Sequence, residues 1–174
     1  MDEALKEHCG RIDVITFGQS LHWMVDRLPS VASALAPRHG SIFVAGYSFP
    51  YFAPSQHNAV LLNKLFYSQF YVEILKSRVH KEGATWWDCD RRLVDGGFAG
   101  TALTGFTKCK RINFYEAKEM KFGDYVGYLR TMSAYNKLIT KCEDPLPQLV
   151  SSARVAEGEM VRIVIPFSGF IAST

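Results

Sequence analysis

The sequence is poor in the residues that build metal centres and disulfide frameworks. Its cysteines, Cys9, Cys89, Cys109 and Cys142, are widely separated, and no two form a Cys-x-x-Cys pair. Its histidines show neither His-x-x-x-His nor His-Glu-x-x-His spacing. A zinc site needs ligands that converge tetrahedrally, usually from closely spaced pairs, so no metal is expected. Unpaired thiols fit a reducing compartment, and a cytoplasmic location is the expectation. An excess of charge of one sign is also missing. The net charge of +3 comes from 20 basic against 17 acidic side chains. That balance argues against nucleic acid as a partner, and Lys108–Arg111 reads as a solvated strand end. No apolar run is long enough to cross a bilayer, so no membrane partner is expected. The stretch 1–7 is acidic and amphipathic, unlike a secretory signal. Repeats and low-complexity tracts are absent. What remains is an ordinary globular composition, 48% hydrophobic and 21% charged, which excludes extensive disorder.

Periodicity then outlines an α/β chain. Asp13 to Phe17 is β-branched and aromatic, as a buried strand should be. From Leu21 to Leu35 apolar residues recur at three- and four-residue steps, with Pro29 breaking the helix and Ser30 placed to cap its second part. Pro37 and Gly40 stop it, and Ser41 to Ala45 is a second apolar strand. Strand, helix and strand at this spacing predict a βαβ unit with parallel strands. After Gly46 comes an aromatic, proline-rich loop whose Tyr47, Phe49, Tyr51 and Phe52 are candidates to line an acceptor pocket. Asn58 to Arg78 predicts one long helix with Val60, Leu61, Leu65, Phe66, Phe70, Val72, Ile74 and Leu75 on its apolar face. Trp86 and Trp87, read as core anchors, open a stretch broken into turns by Gly83, Gly96, Gly97 and Gly100. Phe106 to Tyr115 reads as a strand, Phe122 to Ile139 as a helix and Met160 to Ile165 as a last strand. The expected organisation is one partial domain: 1–46 a βαβ unit, 47–105 a helical and aromatic cap insert, 106–174 the last strands with a helix between them.

Several local strings carry a resemblance. After Asp13-Val-Ile-Thr16 come Gln19 and His22-Trp23; Leu35-Ala-Pro-Arg-His-Gly40 precedes the second strand, which runs into Ala45-Gly-Tyr47. Gly127-Tyr-Leu-Arg-Thr-Met-Ser133 follows much later, then Asp144-Pro145 and Ile165-Pro-Phe167. In order and spacing this resembles the C-terminal part of the class I S-adenosylmethionine (SAM)-dependent methyltransferases of trans-aconitate type, with Met132 standing where that family has tryptophan. The resemblance implies the C-terminal half of a Rossmann-like fold, a mostly parallel sheet with an antiparallel last strand and a helical insert. It further implies catalytic roles for His22, Tyr128 and Arg130. Phe17, Gly18, Gln19, His22 and Trp23 would touch SAM, and Tyr47, Arg130 and Ser133 a small-molecule acceptor, such as a carboxylic acid. Arg130 suits that acceptor because a guanidinium fork pairs with carboxylates.

The glycine-rich turn that should cradle SAM is not in this sequence, since Gly96-Gly97 and Gly100 follow no predicted strand. The resemblance therefore covers a part lacking the main cofactor half, and this chain by itself is expected to bind SAM weakly or not at all. The alternative reading is a catalytically inactive half-domain that serves as an interaction or regulatory module. Without a neighbour on its far side, the Asp13–Phe17 strand would be an unprotected edge, which predicts a homo-oligomer through it.

Overall fold

The computed structural model describes residues 7–76, 86–87 and 91–174. Residues 1–6 of the acidic N-terminus, 77–78 of the expected long helix, Gly83 and Cys89 lie outside the described residues. The chain divides into two compact units, Met1–Ser48 with Cys89–Phe114 and Pro166–Thr174, and Phe49–Asp88 with Tyr115–Ile165. The second unit thus joins the 49–88 stretch to residues that sequence reading assigned to the last strands, because two long strands, not one local insert, build it.

In the first unit β1 (Val14–Gly18) pairs in parallel with β2 (Ser41–Tyr47), Val14 opposite Ser41 and Gly18 opposite Ala45. The connection between them holds two single 3-10 turns, Leu21–Trp23 and Val25–Arg27, then α1 (Leu28–Ala34). The expected βαβ unit is therefore present. Its break falls before Pro29, which occupies the first turn of α1, where a missing N–H costs nothing. Ser30 consequently lies inside α1 and does not cap it. Leu28, Val31 and Ala34 bury one side of α1 among Phe17, Leu21, Ile42, Val44 and Phe170. Each large apolar side chain buried this way stabilises the fold by roughly 1.5–3 kcal/mol.

The expectation of a mostly parallel sheet needs correction. Among the described strands β1–β2 is the parallel pairing. The last strand, β5 (Met160–Ser173), runs antiparallel both to β2 and to the short β3 (Tyr51–Phe52). β4 (Lys108–Lys121) also pairs with β5, and its flanking bonds, Thr107 N–H to Ser173 O and Phe122 N–H to Glu159 O, make that pairing antiparallel. A parallel neighbour needs a crossover helix, and α1 is the one that links adjacent strands here. The antiparallel last strand agrees with expectation, although it continues through Pro166. That proline sits between the residues facing β3 and those facing β2, where no ladder N–H is required. Likewise β4 extends six residues past Tyr115 through the polar Glu116–Lys121, since pairing with β5 outweighs weak strand propensity.

The second unit is built on an aromatic core. α2 (Ala59–Leu62) runs on as a wide π-helix, Asn63–Lys76. Looser winding aligns residues four to five apart, so Leu62, Phe66, Phe70, Tyr71 and Leu75 are buried together. Val60, 88% exposed, and Leu61 fall outside that stripe, against expectation. Phe66 meets Tyr125 edge-on at 5.6 Å, Phe49 stacks on Tyr71 at 4.2 Å, and Trp86 is buried as an anchor. The predicted helix from Phe122 to Ile139 is two, α4 (Phe122–Arg130) and α5 (Ser133–Lys141). Between them the Thr131 hydroxyl donates back to Tyr128 O at 2.7 Å, a local bond that competes with helix continuation. A further helix, α6 (Leu146–Ala153), follows Asp144, whose carboxylate accepts from Leu146 N–H at 2.9 Å. Sequence periodicity predicts no helix between Ile139 and Met160.

Candidate functional site

In an open α/β sheet ligands gather beyond the carboxyl ends of the parallel strands. Those ends here are Gly18-Gln19 and Gly46-Tyr47. Gln19 leaves β1 in the left-handed region, φ 52°, while its N–H still donates to Ala45 O at 2.8 Å. Its side-chain amide then pairs with the backbone of Tyr47. Nε2 donates to Tyr47 O at 3.0 Å, and Tyr47 N–H donates to Oε1 at 2.9 Å. The carboxamide acts as one more rung between β1 and β2. Gly46 leaves room for it, because a Cβ there would stand 2.5 Å from Gln19 Oε1 and 3.0 Å from Phe98. Both polar ends of Gln19 are thereby committed to Tyr47. Phe17 is buried in the core, so its ring is spent on packing; Gly18 is exposed, with open space where a Cβ would be.

Past Gln19, the turn Leu21–Trp23 is pinned by Leu21, which is fully buried. It presents His22 half-buried and Trp23 58% exposed, their ring centroids 5.4 Å apart. Nδ1 of His22 is shielded from water and has no hydrogen-bond partner. Burial first, and the positive charge of Arg91 second, lower the His22 pKa below its ordinary value. The imidazole is therefore held neutral. Arg91 belongs to α3 (Arg91–Asp95), where it is paired with Asp95 at 3.5 Å. Tyr47, in turn, lies on the outward face of β2, 5.9 Å from Phe167, which stacks on Phe114 at 4.9 Å.

Tyr128, Arg130 and Ser133 belong to the second unit. Tyr128 is half-buried near the end of α4, Arg130 is exposed, and Ser133 opens α5, also exposed. The Arg130 guanidinium acts on the Tyr135 hydroxyl, which donates to Asp144 Oδ2 at 2.8 Å. Burial and the Asp144 bond raise the Tyr135 pKa, and Arg130 opposes them. Arg130 thus has a partner within its own unit. Of the aromatic loop, Phe49 and Phe52 are core residues of the second unit, while Tyr47 faces outward in the first.

The structure therefore brings together Gly18, Gln19, His22, Trp23 and Tyr47 around one strand end, and Tyr128, Arg130 and Ser133 around one helix junction. Sequence reasoning did not single out Tyr135, and it used Gly46 and Asp144 only as parts of the strings that carry the resemblance. The Gly46-Tyr47 pair at a strand end was a visible signal for the glycine; nothing local marks the Tyr135–Asp144 bond. Among the described residues no group of histidine, cysteine and carboxylate side chains could hold a metal ion. No helix among them is long and apolar enough to cross a membrane.

No family model and no curated protein matches the chain. A solved structure from Anaeromyxobacter dehalogenans, provisionally named a type II methyltransferase, aligns with a TM-score of 0.66 at 16% identity. The match covers 95% of this chain and 66% of the other. The chain shares the α/β fold of that structure and spans just under two thirds of its length.

Proposed function

We propose that the chain is the acceptor-side portion of a SAM-dependent methyltransferase, of trans-aconitate type, that methylates a small acid. The methyltransferase part of this reading is carried by the likeness of fold, over 95% of the chain, to a protein provisionally named a type II methyltransferase; the acceptor class rests on the sequence resemblance. The strand end fits one side of the cofactor: Gly18 leaves open space, and the unpartnered Nδ1 of His22 lies beside an exposed indole. When bound, SAM supplies a methyl group on a sulfonium. Catalysis of such a transfer is chiefly positioning and exclusion of water. In that setting Trp23 offers a π face to a cation. Neutral His22 offers a hydrogen-bond acceptor, and the Gln19 clamp fixes the backbone from which Tyr47 projects. Within the second unit by itself, Tyr128, Arg130 and Ser133 form a separate candidate group for a carboxylate.

The exposed β1 edge favours a second reading, an inactive half-domain that binds a partner. Nuclear magnetic resonance titration with SAM tests the first. We expect weak binding, unsaturated in the micromolar range, with shifts confined to Gly18, Gln19, His22 and the Trp23 indole. A micromolar dissociation constant would show that this chain needs no glycine-rich half. Shifts that bypass those residues, or none at all, would remove the site from this strand end.

A further inference from the structure

A polar notch lies beside the carboxyl end of β2, wholly within the first unit. Phe114 and Phe167 stack on the outward face of the sheet, so their chain neighbours, Asn113 of β4 and Ser168 of β5, turn to the other face. Ser168 stands opposite Gly46, the residue before the Tyr47 that Gln19 clamps. Over both runs the turn that ends α3. Its Gly97 has φ 61°, and the place a Cβ would take there is 3.1 Å from Ser168 Oγ and 3.5 Å from Asn113 Oδ1. Glycine leaves that space open. Among the described residues neither of the two polar side chains has a hydrogen-bond partner.

Arg111, two residues before Asn113 on the same strand face, brings the charge. Its guanidinium lies 5.6 Å from the Phe170 ring centroid and donates to Phe98 O at 2.8 Å and to Ala99 O at 3.3 Å. Phe98 is buried at φ 60°, a region that bulky residues avoid, and these two bonds hold the strained turn against the sheet. The guanidinium is thus fixed by neutral groups, and among the described residues no carboxylate pairs with it. The acid at the end of α3, Asp95, is engaged by Arg91. A fixed cation, a hydroxyl and a carboxamide around an open space suit a small anion. A carboxylate matches the single positive charge, whereas a phosphate dianion would carry charge left unmatched. A half-turn of the Asn113 amide presents its N–H groups, Ser168 donates its O–H, and Arg111 keeps N–H groups beyond those given to the carbonyls.

We propose that Arg111, Asn113 and Ser168, facing Gly97, form a subsite for a small carboxylate in the first unit. Binding of the acid here stands apart from methyl transfer; that the acid is the methyl acceptor rests on that reading. Nuclear magnetic resonance titration of the full chain with succinate, at constant ionic strength, should give saturable shifts at the amides of Gly97, Phe98, Asn113 and Ser168. Neutral succinamide should give none, and inorganic phosphate should bind more weakly. Asn113→Asp puts a negative charge at an exposed position and should weaken succinate by about fivefold or more, the scale of a partly exposed charge pair. Arg111→Gln should do the same; if that change unfolds the turn, Asn113→Asp decides. No saturable shift, shifts shared with succinamide, phosphate binding as tight as succinate, or affinity unmoved in either folded variant each overturns the proposal. So do shifts at Tyr128, Arg130 and Ser133 alone, which would send the acid to the second unit. SAM reports on Gly18, Gln19, His22 and Trp23 instead, so failure of one titration leaves the other to stand.

Discussion

His22 is the residue at which pH should be felt. Its pKa is lowered in the fold, first by burial and second by Arg91, so folding favours the neutral ring. The stabilisation is complete above the ordinary histidine value, about 6.5, and is lost as pH falls toward the lowered folded value. Urea unfolding at pH 7.5 and pH 5.5 should show a loss of stability that His22→Gln reduces. An unchanged loss in the variant would assign the acid sensitivity elsewhere. Because Nδ1 already lacks a partner, glutamine forfeits no hydrogen bond of that atom, which keeps the comparison clean.

The β1–β2 junction is an element whose last rung is a side chain. Gln19→Ala removes both amide bonds to Tyr47 and should cost about 1–2 kcal/mol. Gly46→Ala drives a Cβ against Gln19 Oε1 and Phe98 and should cost about 1–3 kcal/mol. Part of the second penalty is a clash with the group that the first removes. The double variant should therefore be less destabilised than the sum of the two, by about 0.5 kcal/mol or more. Strict additivity in a denaturation cycle would mean that the clamp and the glycine are not coupled. The same junction explains why Gln19 follows a strand at a positive φ. Only a turn directly after Gly18 brings a long carboxamide back alongside β2.

Among the described residues, several large apolar side chains meet solvent. Val14, Phe43, Tyr47, Phe114 and Ile171 are each more than a third exposed, and Tyr47, Phe167 and Phe114 line up across three strands of the first unit. Patches of that kind mark surfaces meant to be covered. The native protein should bind an apolar fluorescent dye such as anilinonaphthalene sulfonate at neutral pH while keeping its near-ultraviolet circular dichroism. Phe43→Ser should lower the dye signal at least twofold. A native protein that leaves the dye dark would show the face to be closed. Dye binding accompanied by lost near-ultraviolet signal would point instead to loosened packing.

Sequence alone determined the elements whose signals are local. β-branched runs at Val14–Phe17 and Ser41–Val44, with Pro29 starting α1 and Pro37 and Gly40 following its end, encode the parallel βαβ unit without help from elsewhere. The candidate residues at its carboxyl end, Gly18, Gln19, His22 and Trp23, came instead from a family resemblance carried by short local strings. Tertiary structure decided what depends on distant partners. Glu116–Lys121 is strand because β5 lies beside it, and Phe66, Phe70 and Tyr71 are buried together because the helix is π-wound from Asn63 on. Gln19 is a clamp because Tyr47, twenty-eight residues away, offers both an N–H and a carbonyl. Propensity and period are properties of neighbouring residues, whereas pairing, burial and hydrogen-bond satisfaction arise when remote segments meet.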